Sequence, residues 1–298
     1  MTLKEFQIAH RKYCNRMIAK CGNKRNMESK ECMTCALKYL DAQAGLEQYD
    51  AKARVSNETP KFATLSDAAV RKGLVDLVNK IRSGKGEMIL PVGARPVISG
   101  VPFEVVDHDT VTVPGLDHTM TLRFLMRDYE ERTFAPRNGE DGVAGWVSSG
   151  LREYLNGPFL SKLSAPLREV LVAPIFKTMT AADDEMKLVE TQDLVWIPSP
   201  SQLGFTAEDD IEEGDVLDAF DRELTIDSNA RRMVVEYHGD EAVPKRYWLR
   251  SMVEDENEVD DTKGAYTIKN TLCNHMGKLE FDGTLDATAM VVPMITIG

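Results

Sequence analysis

The spacing of hydrophobic positions changes along this chain, and each change marks an element or a boundary. "ALKYLDAQAGLEQYDAKARV" carries its apolar residues at helical intervals, and "SNETP" then interrupts the pattern with Asn and Pro. "TLSDAAVRKGLVDLVNKIRSGKGE" reads as a second helix, with Ser66 at its N-cap, Val70, Leu74, Leu77, Val78 and Ile81 along one face, and Gly84 as its stop. From Met88 the period shortens to two. "MILPVGARPVISGVPFEVVDHDTVTVPGLDHTMTLRFL" is a succession of short β-rich runs separated by Pro, Gly and Asp, as in hairpins. "GWVSSGLREYLNGPF" returns to a helical pattern: Ser148 or Ser149 caps it, Leu151 and Leu155 point inward, and Gly157-Pro158 ends it.

These elements predict an α+β chain in three parts. Residues 1–55 form a small helical Cys-rich module, 56–64 a linker, and 65–298 a larger domain of short strands with two or more helices. Charge separates the parts in the same way. Met1 to Arg54 carries 11 Lys and Arg against 6 Asp and Glu, a balance of +5, which leaves −17 for the remainder of a chain whose total is −12. An acidic body disfavours wrapping by nucleic acid, so contact with nucleic acid is open only to the basic N-terminal module. The N-terminus has no apolar run of signal-peptide length, and no stretch of about 18 uncharged apolar residues is present to span a membrane. Synthesis in a cytoplasm is expected.

Four of the five cysteines, Cys14, Cys21, Cys32 and Cys35, lie in the basic module. In a reducing compartment such clustering favours a metal over disulfides, and the C-x-x-C of Cys32 and Cys35 has zinc-knuckle spacing. On one continuous helix Cys14 and Cys21 would stand about 10 Å apart along the axis, too far to share an ion. A helix end at Gly22-Asn23 would bring Cys21 into reach; His10, four residues before Cys14, is the other candidate ligand. The alternative is a helical hairpin with reduced, half-buried thiols.

Candidate chemistry elsewhere competes with plain structural roles. Asp107-His108 and Asp117-His118 fall near hairpin turns, where they form either an acid–base or metal site or ordinary turn caps. The serines of "GWVSSGLR" have no G-x-S-x-G elbow and no neighbouring His to act as base, so capping accounts for them better than catalysis. In "YWLRS", strand alternation places Tyr247 and Leu249 on one face and Trp248 and Arg250 on the other; the Arg either meets an internal carboxylate or is exposed for recognition. Asp255, Glu256, Asn257, Asp260 and Asp261 are rich in oxygen but lack EF-hand spacing, and they read as a solvated acidic loop, as does "EDDIEEGD". The polar segment from Glu254 to Asp286 is either a recognition loop, with Tyr266, Lys269, Asn270, Asn274 and His275 as its binding residues, or one more hairpin.

Six motifs stand in order: Gly84-Lys85, "FEVVDHD" from Phe103, "WVSSGLR" from Trp146, "DLVWIPS" from Asp193, "YWLRS" from Tyr247 and "VVPMITI" from Val291. From Leu65 onward the arrangement resembles an uncharacterised domain family of phages and prophages of Gram-positive gut bacteria. Met252 stands where that family usually has Pro, and Val292 where many members have Arg. The resemblance implies a C-type-lectin-like fold, with helices on a small sheet and displayed loops. It also implies a non-enzymatic virion or tail-associated protein that recognises a protein or glycan on the host cell surface, or another virion protein. The alternative is a regulatory or defence-modulating protein in the host cytoplasm, acting on nucleic acid or a host protein through its basic Cys module.

Overall fold

Among the described residues, strand pairing brings distant parts of the sequence together into two principal sheets and two separate hairpins. A computed structural model describes residues 67–125, 131–134, 145–182, 185–205, 213–221, 231–238, 241–260, 265–274, 276–282 and 288–298, all within one unit, Leu65–Gly298. These residues are of mixed α/β type, mostly strands with few helices. The expected Cys-rich module 1–55 and linker 56–64 lie outside the described residues.

The helix Asp67–Arg82 forms on the expected stripe. Leu74, Val78 and Ile81 are buried, while Val70 and Leu77 pack partly against the same core. It ends because Gly84 adopts a left-handed backbone (φ 70°) that a side chain would strain. That turn lets Lys85 N–H donate to Lys80 O at 2.9 Å and Gly84 N–H to Ile81 O at 2.8 Å, satisfying carbonyls the helix leaves open. Immediately afterwards Gly86–Ile89 makes one short helical turn, where the period-two reading had strands beginning at Met88. The turn's Gly86 is buried against the His108 ring, so packing overrides local β propensity there.

The first sheet runs Val97–Ile98, Val101–His108, Met120–Phe124, Met294–Ile297 and Leu171–Val172, with Val195–Trp196 also pairing along Met294–Ile297. Its centre is buried on both faces, which is why "MTLRF" and "MITI" carry few exposed positions. A register shift between Val105 and Asp107 puts consecutive residues Val105 and Val106 into the core. Phe103 faces Phe124 with ring centroids 4.6 Å apart.

The second sheet runs Leu279–Asp282, Ala265–Cys273, Tyr247–Asp260, Thr288–Met290 and Glu131–Thr133. The C-terminal segment therefore belongs to both sheets: Thr288–Met290 lies between Tyr247–Asp260 and Glu131–Thr133 in one, and Met294–Ile297 between Met120–Phe124 and Leu171–Val172 in the other. Trp146 and Trp248 are fully buried, with the Phe134 ring 6.3 Å and 5.6 Å from them. Trp248 also donates its indole N–H to Arg132 O at 2.7 Å. Among the described residues no helix is long and apolar enough to cross a membrane.

Candidate functional site

The residues of "GWVSSGLREYLNGPF" build one wall of an open cleft. Ser149, not Ser148, is the cap: its Oγ accepts Arg152 N–H at 3.1 Å and donates to Trp146 O at 3.0 Å. The helix Gly150–Tyr154 that it starts does not end at Gly157-Pro158 as expected. It passes through a π-helical turn, Leu155–Phe159, into Leu160–Lys162. Widening the turn accommodates a proline that cannot donate to the preceding carbonyls. Burial of Leu155 and Phe159 holds that turn in place.

The strand Glu185–Gln192 ends at the opposite wall, and the next residue, Asp193, is buried at the junction. Its Oδ2 accepts the Trp146 indole N–H at 2.9 Å; its Oδ1 accepts Arg152 Nε–H at 2.8 Å and Asn156 Nδ2–H at 3.3 Å. Asn156 completes the junction by accepting Leu194 N–H (3.0 Å) and Val195 N–H (3.1 Å) and donating to Val195 O (2.9 Å). Arg152 donates once more, from Nη1 to Val147 O at 2.9 Å, while its Nη2 makes no hydrogen bond among the described residues. Above this cluster lies a cleft of about 610 Å³ lined by Val147, Ser148, Glu153, Leu160, Gln192 and Leu194, among others. That volume is within the range of small-ligand pockets.

A second constellation is closed. The guanidinium of Arg250 is fully buried, as the internal reading of "YWLRS" requires, but a hydroxyl and three carbonyl oxygens rather than a carboxylate hold it. It donates to Thr178 Oγ1 (3.0 Å), Ile197 O (3.0 Å), Gln202 Oε1 (2.6 Å) and Glu213 O (3.0 Å), and lies 4.4 Å from the Phe176 ring. A break in strand register between Trp248 and Met252 frees this segment to turn its N–H toward Pro198 O. Burial lowers the Arg250 pKa to about 10, while the charges of Glu213 and Asp193 oppose the shift. Glu213 corrects the reading of "EDDIEEGD" as solvated throughout: its carboxylate is buried, accepting from Met179 N–H and the Ser251 hydroxyl. Burial raises its pKa; Arg250, Ser251 and Met179 pull it down.

Asp107, His108 and His118 of the two Asp-His dipeptides each bond to separate partners. Asp107 is buried, accepting Thr110 N–H at 3.1 Å and Asp218 N–H at 3.3 Å; burial lifts its carboxyl to about 6 and the nearby Asp218 charge adds to the rise. His108 is bonded to Leu90 O at 2.8 Å, and His118 to Asp109 at 2.9 Å. Among the described residues no group of three or more His, Cys, Asp or Glu is placed to hold a metal. The zinc candidates His10, Cys14, Cys21, Cys32 and Cys35 lie outside them. The fifth cysteine, Cys273, is buried, and burial pushes its thiol up to about 11, which keeps it protonated at neutral pH.

The segment expected as a recognition loop is mainly paired strand. Ala265–Cys273 pairs with Tyr247–Asp260 on one side and Leu279–Asp282 on the other, so Tyr266, Lys269 and Asn270 lie within a strand. Asn270 is buried, and Lys269 is half-buried. Asn274 shapes the following turn, its Oδ1 accepting Met276 N–H (2.9 Å) and Lys278 N–H (3.1 Å); His275 is outside the described residues. Alternation of apolar residues across "YTIKNTLC" favours pairing once a neighbouring strand is available on each side. The oxygen-rich run Asp255, Glu256, Asn257 and Asp260 belongs to the partner strand, and Asp261 lies outside the described residues. The Asp193 junction, by contrast, escaped the sequence reading. Trp146, Arg152 and Asp193 were visible as motif residues, but no periodicity links positions 41 residues apart.

No curated protein and no solved structure matches the chain. One family model matches residues 122–297, the one described as "Domain of unknown function (DUF6273)". Four of the six motifs fall inside that match, while Gly84-Lys85 and Phe103–Asp109 precede it. By a match that spans more than half of its length and takes in both the Asp193 junction and the Arg250 cluster, the chain belongs to this uncharacterised domain family.

Proposed function

We propose that this chain is a non-enzymatic recognition protein of a phage or prophage, carried on the virion or its tail. The Leu65–Gly298 unit would act as a C-type-lectin-like domain that binds a protein or glycan of the host surface. The observation that carries the reading is the Asp193 junction. It spends its carboxylate, its indole and its amide on fixing the cleft wall, and it presents a held guanidinium rather than a nucleophile with a base. The return of Met294–Ile297 to the first sheet, with helices Asp67–Arg82 and Gly150–Tyr154 in the same unit, supports the lectin-like reading of the fold.

In this reading residues 1–55 attach the protein to a partner and fold around one zinc held by Cys32, Cys35, Cys14 and either Cys21 or His10. Mass spectrometry of purified virions should find the polypeptide, and labelled full-length protein should bind host cells. Absence from virions together with no cell binding would overturn the proposal. The +5 balance of the N-terminal arm favours one other reading, an intracellular protein that contacts nucleic acid or a host protein. Salt-sensitive retention of the chain on nucleic acid, with none in virions, would select it.

A further inference from the structure

We propose that the cleft above Asp193 binds a neutral saccharide, through the Nη2 of Arg152 and the amide of Gln192. The inference rests on the recognition reading and names both the place and the ligand class. Three observations support it. First, Arg152 is already oriented: Nε and Nη1 are tied to Asp193 and Val147 O at 2.8 and 2.9 Å, and its side chain retains 27% exposure. A ligand hydroxyl therefore meets a donor whose rotamer is settled before binding, which lowers the ordering cost. Second, the Gln192 side chain is exposed, makes no hydrogen bond among the described residues, and offers a donor and an acceptor on one planar group. Third, Val147, Leu160, Ala173 and Leu194 line the same cleft, giving aliphatic surface for the C–H face of a sugar ring.

Charge selects against the other ligand classes. The Arg152 cation is matched by Asp193 at 2.8 Å, Glu153 adds a carboxylate to the lining, and the chain carries −12 overall. An anionic ligand would meet no net positive field. A purely apolar ligand would leave Arg152 Nη2 desolvated without a partner, which disfavours it. A hydroxyl-rich neutral ring matches alternating donors, acceptors and aliphatic patches.

The test uses the full chain on an array of neutral, sialylated and uronate-containing glycans, with Gln192→Ala and Gln192→Trp as variants. Gln192 is exposed, so neither substitution should move the melting temperature. Neutral glycans should be retained by the native chain, about tenfold more weakly by Gln192→Ala, and more weakly still by Gln192→Trp, whose ring would occupy part of the cleft in place of the amide. Arg152→Lys, which keeps the charge but loses the planar fork, should also lose them. Retention of acidic glycans only, no neutral glycan retained, or neutral binding unchanged in both Gln192 variants would overturn the proposal. Host-cell binding separates the two claims. If cells still bind Gln192→Trp as they bind the native chain, recognition stands and this cleft is not its site. If cells stripped of surface glycan bind as well as untreated ones, the partner is a protein.

Discussion

Arg152 and Arg250 are each held by several hydrogen bonds, yet one is scaffold and the other is available. Arg250 is enclosed and has donors committed to Thr178, Ile197, Gln202 and Glu213. Arg152 has two donors committed, while its Nη2, at the edge of a cleft, makes no hydrogen bond among the described residues. Burial therefore decides whether an Arg in a polar cluster joins strands or meets a ligand. When every donor is internal the residue closes the core; when one remains outside, the same chemistry becomes a contact.

The largest expected effect is on the enclosed member. Arg250→Ala should destabilise the unit by about 3–5 kcal/mol, because it leaves the buried Glu213 charge uncompensated and the Thr178 and Gln202 groups unmet. Urea denaturation measures this, and a loss under about 1 kcal/mol would break the comparison. A buried carboxylate without a cation sharpens it further. Asp107 has a pKa raised to about 6 from 3.8, so between those values the folded chain retains a proton that the unfolded chain has released. Its contribution to stability is therefore full at low pH and is lost as pH rises through that window, by roughly 2–3 kcal/mol. Subtracting the urea stability profile of Asp107→Asn should isolate that slope; parallel profiles would show that Asp107 titrates normally.

Smaller effects belong to the cleft. Arg152→Ala should cost about 1–2 kcal/mol, less than Arg250→Ala, since Asp193 keeps its Trp146 and Asn156 donors and the site is partly solvated. A cost equal to that of Arg250→Ala would make the Arg152 site scaffold as well. Smallest of the four, Ser149→Ala removes one helix cap and should lower stability by about 1 kcal/mol, visible as a shifted urea midpoint with unchanged slope.

Much of the local structure was legible beforehand because its causes are local. The stripe and glycine stop of Asp67–Arg82, the capping serine of the Trp146–Arg152 motif and the strand at "YWLRS" each follow from residues a few positions apart. Two local readings failed for a shared reason. Gly157-Pro158 should break a helix and "EDDIEEGD" should stay in water, but burial of Leu155 and Phe159 carried the helix onward, and the Arg250 cluster drew in Glu213.

The sequence by itself determined the mix of helices and short strands, and the cap and inward face of the helix after Trp146, since propensity, capping and periodicity act within one or two turns of chain. It also set the contrast between a basic arm and an acidic body. Only the tertiary structure decided which polar residues meet. Asp193 reaches Trp146 across 47 positions, and Arg250 reaches Thr178 across 72, through pairing that no spacing rule encodes. The reason is that burial makes an unpaired polar group costly, so each enclosed charge takes whatever partner the packed strands deliver, and that partner is fixed by topology rather than by sequence distance.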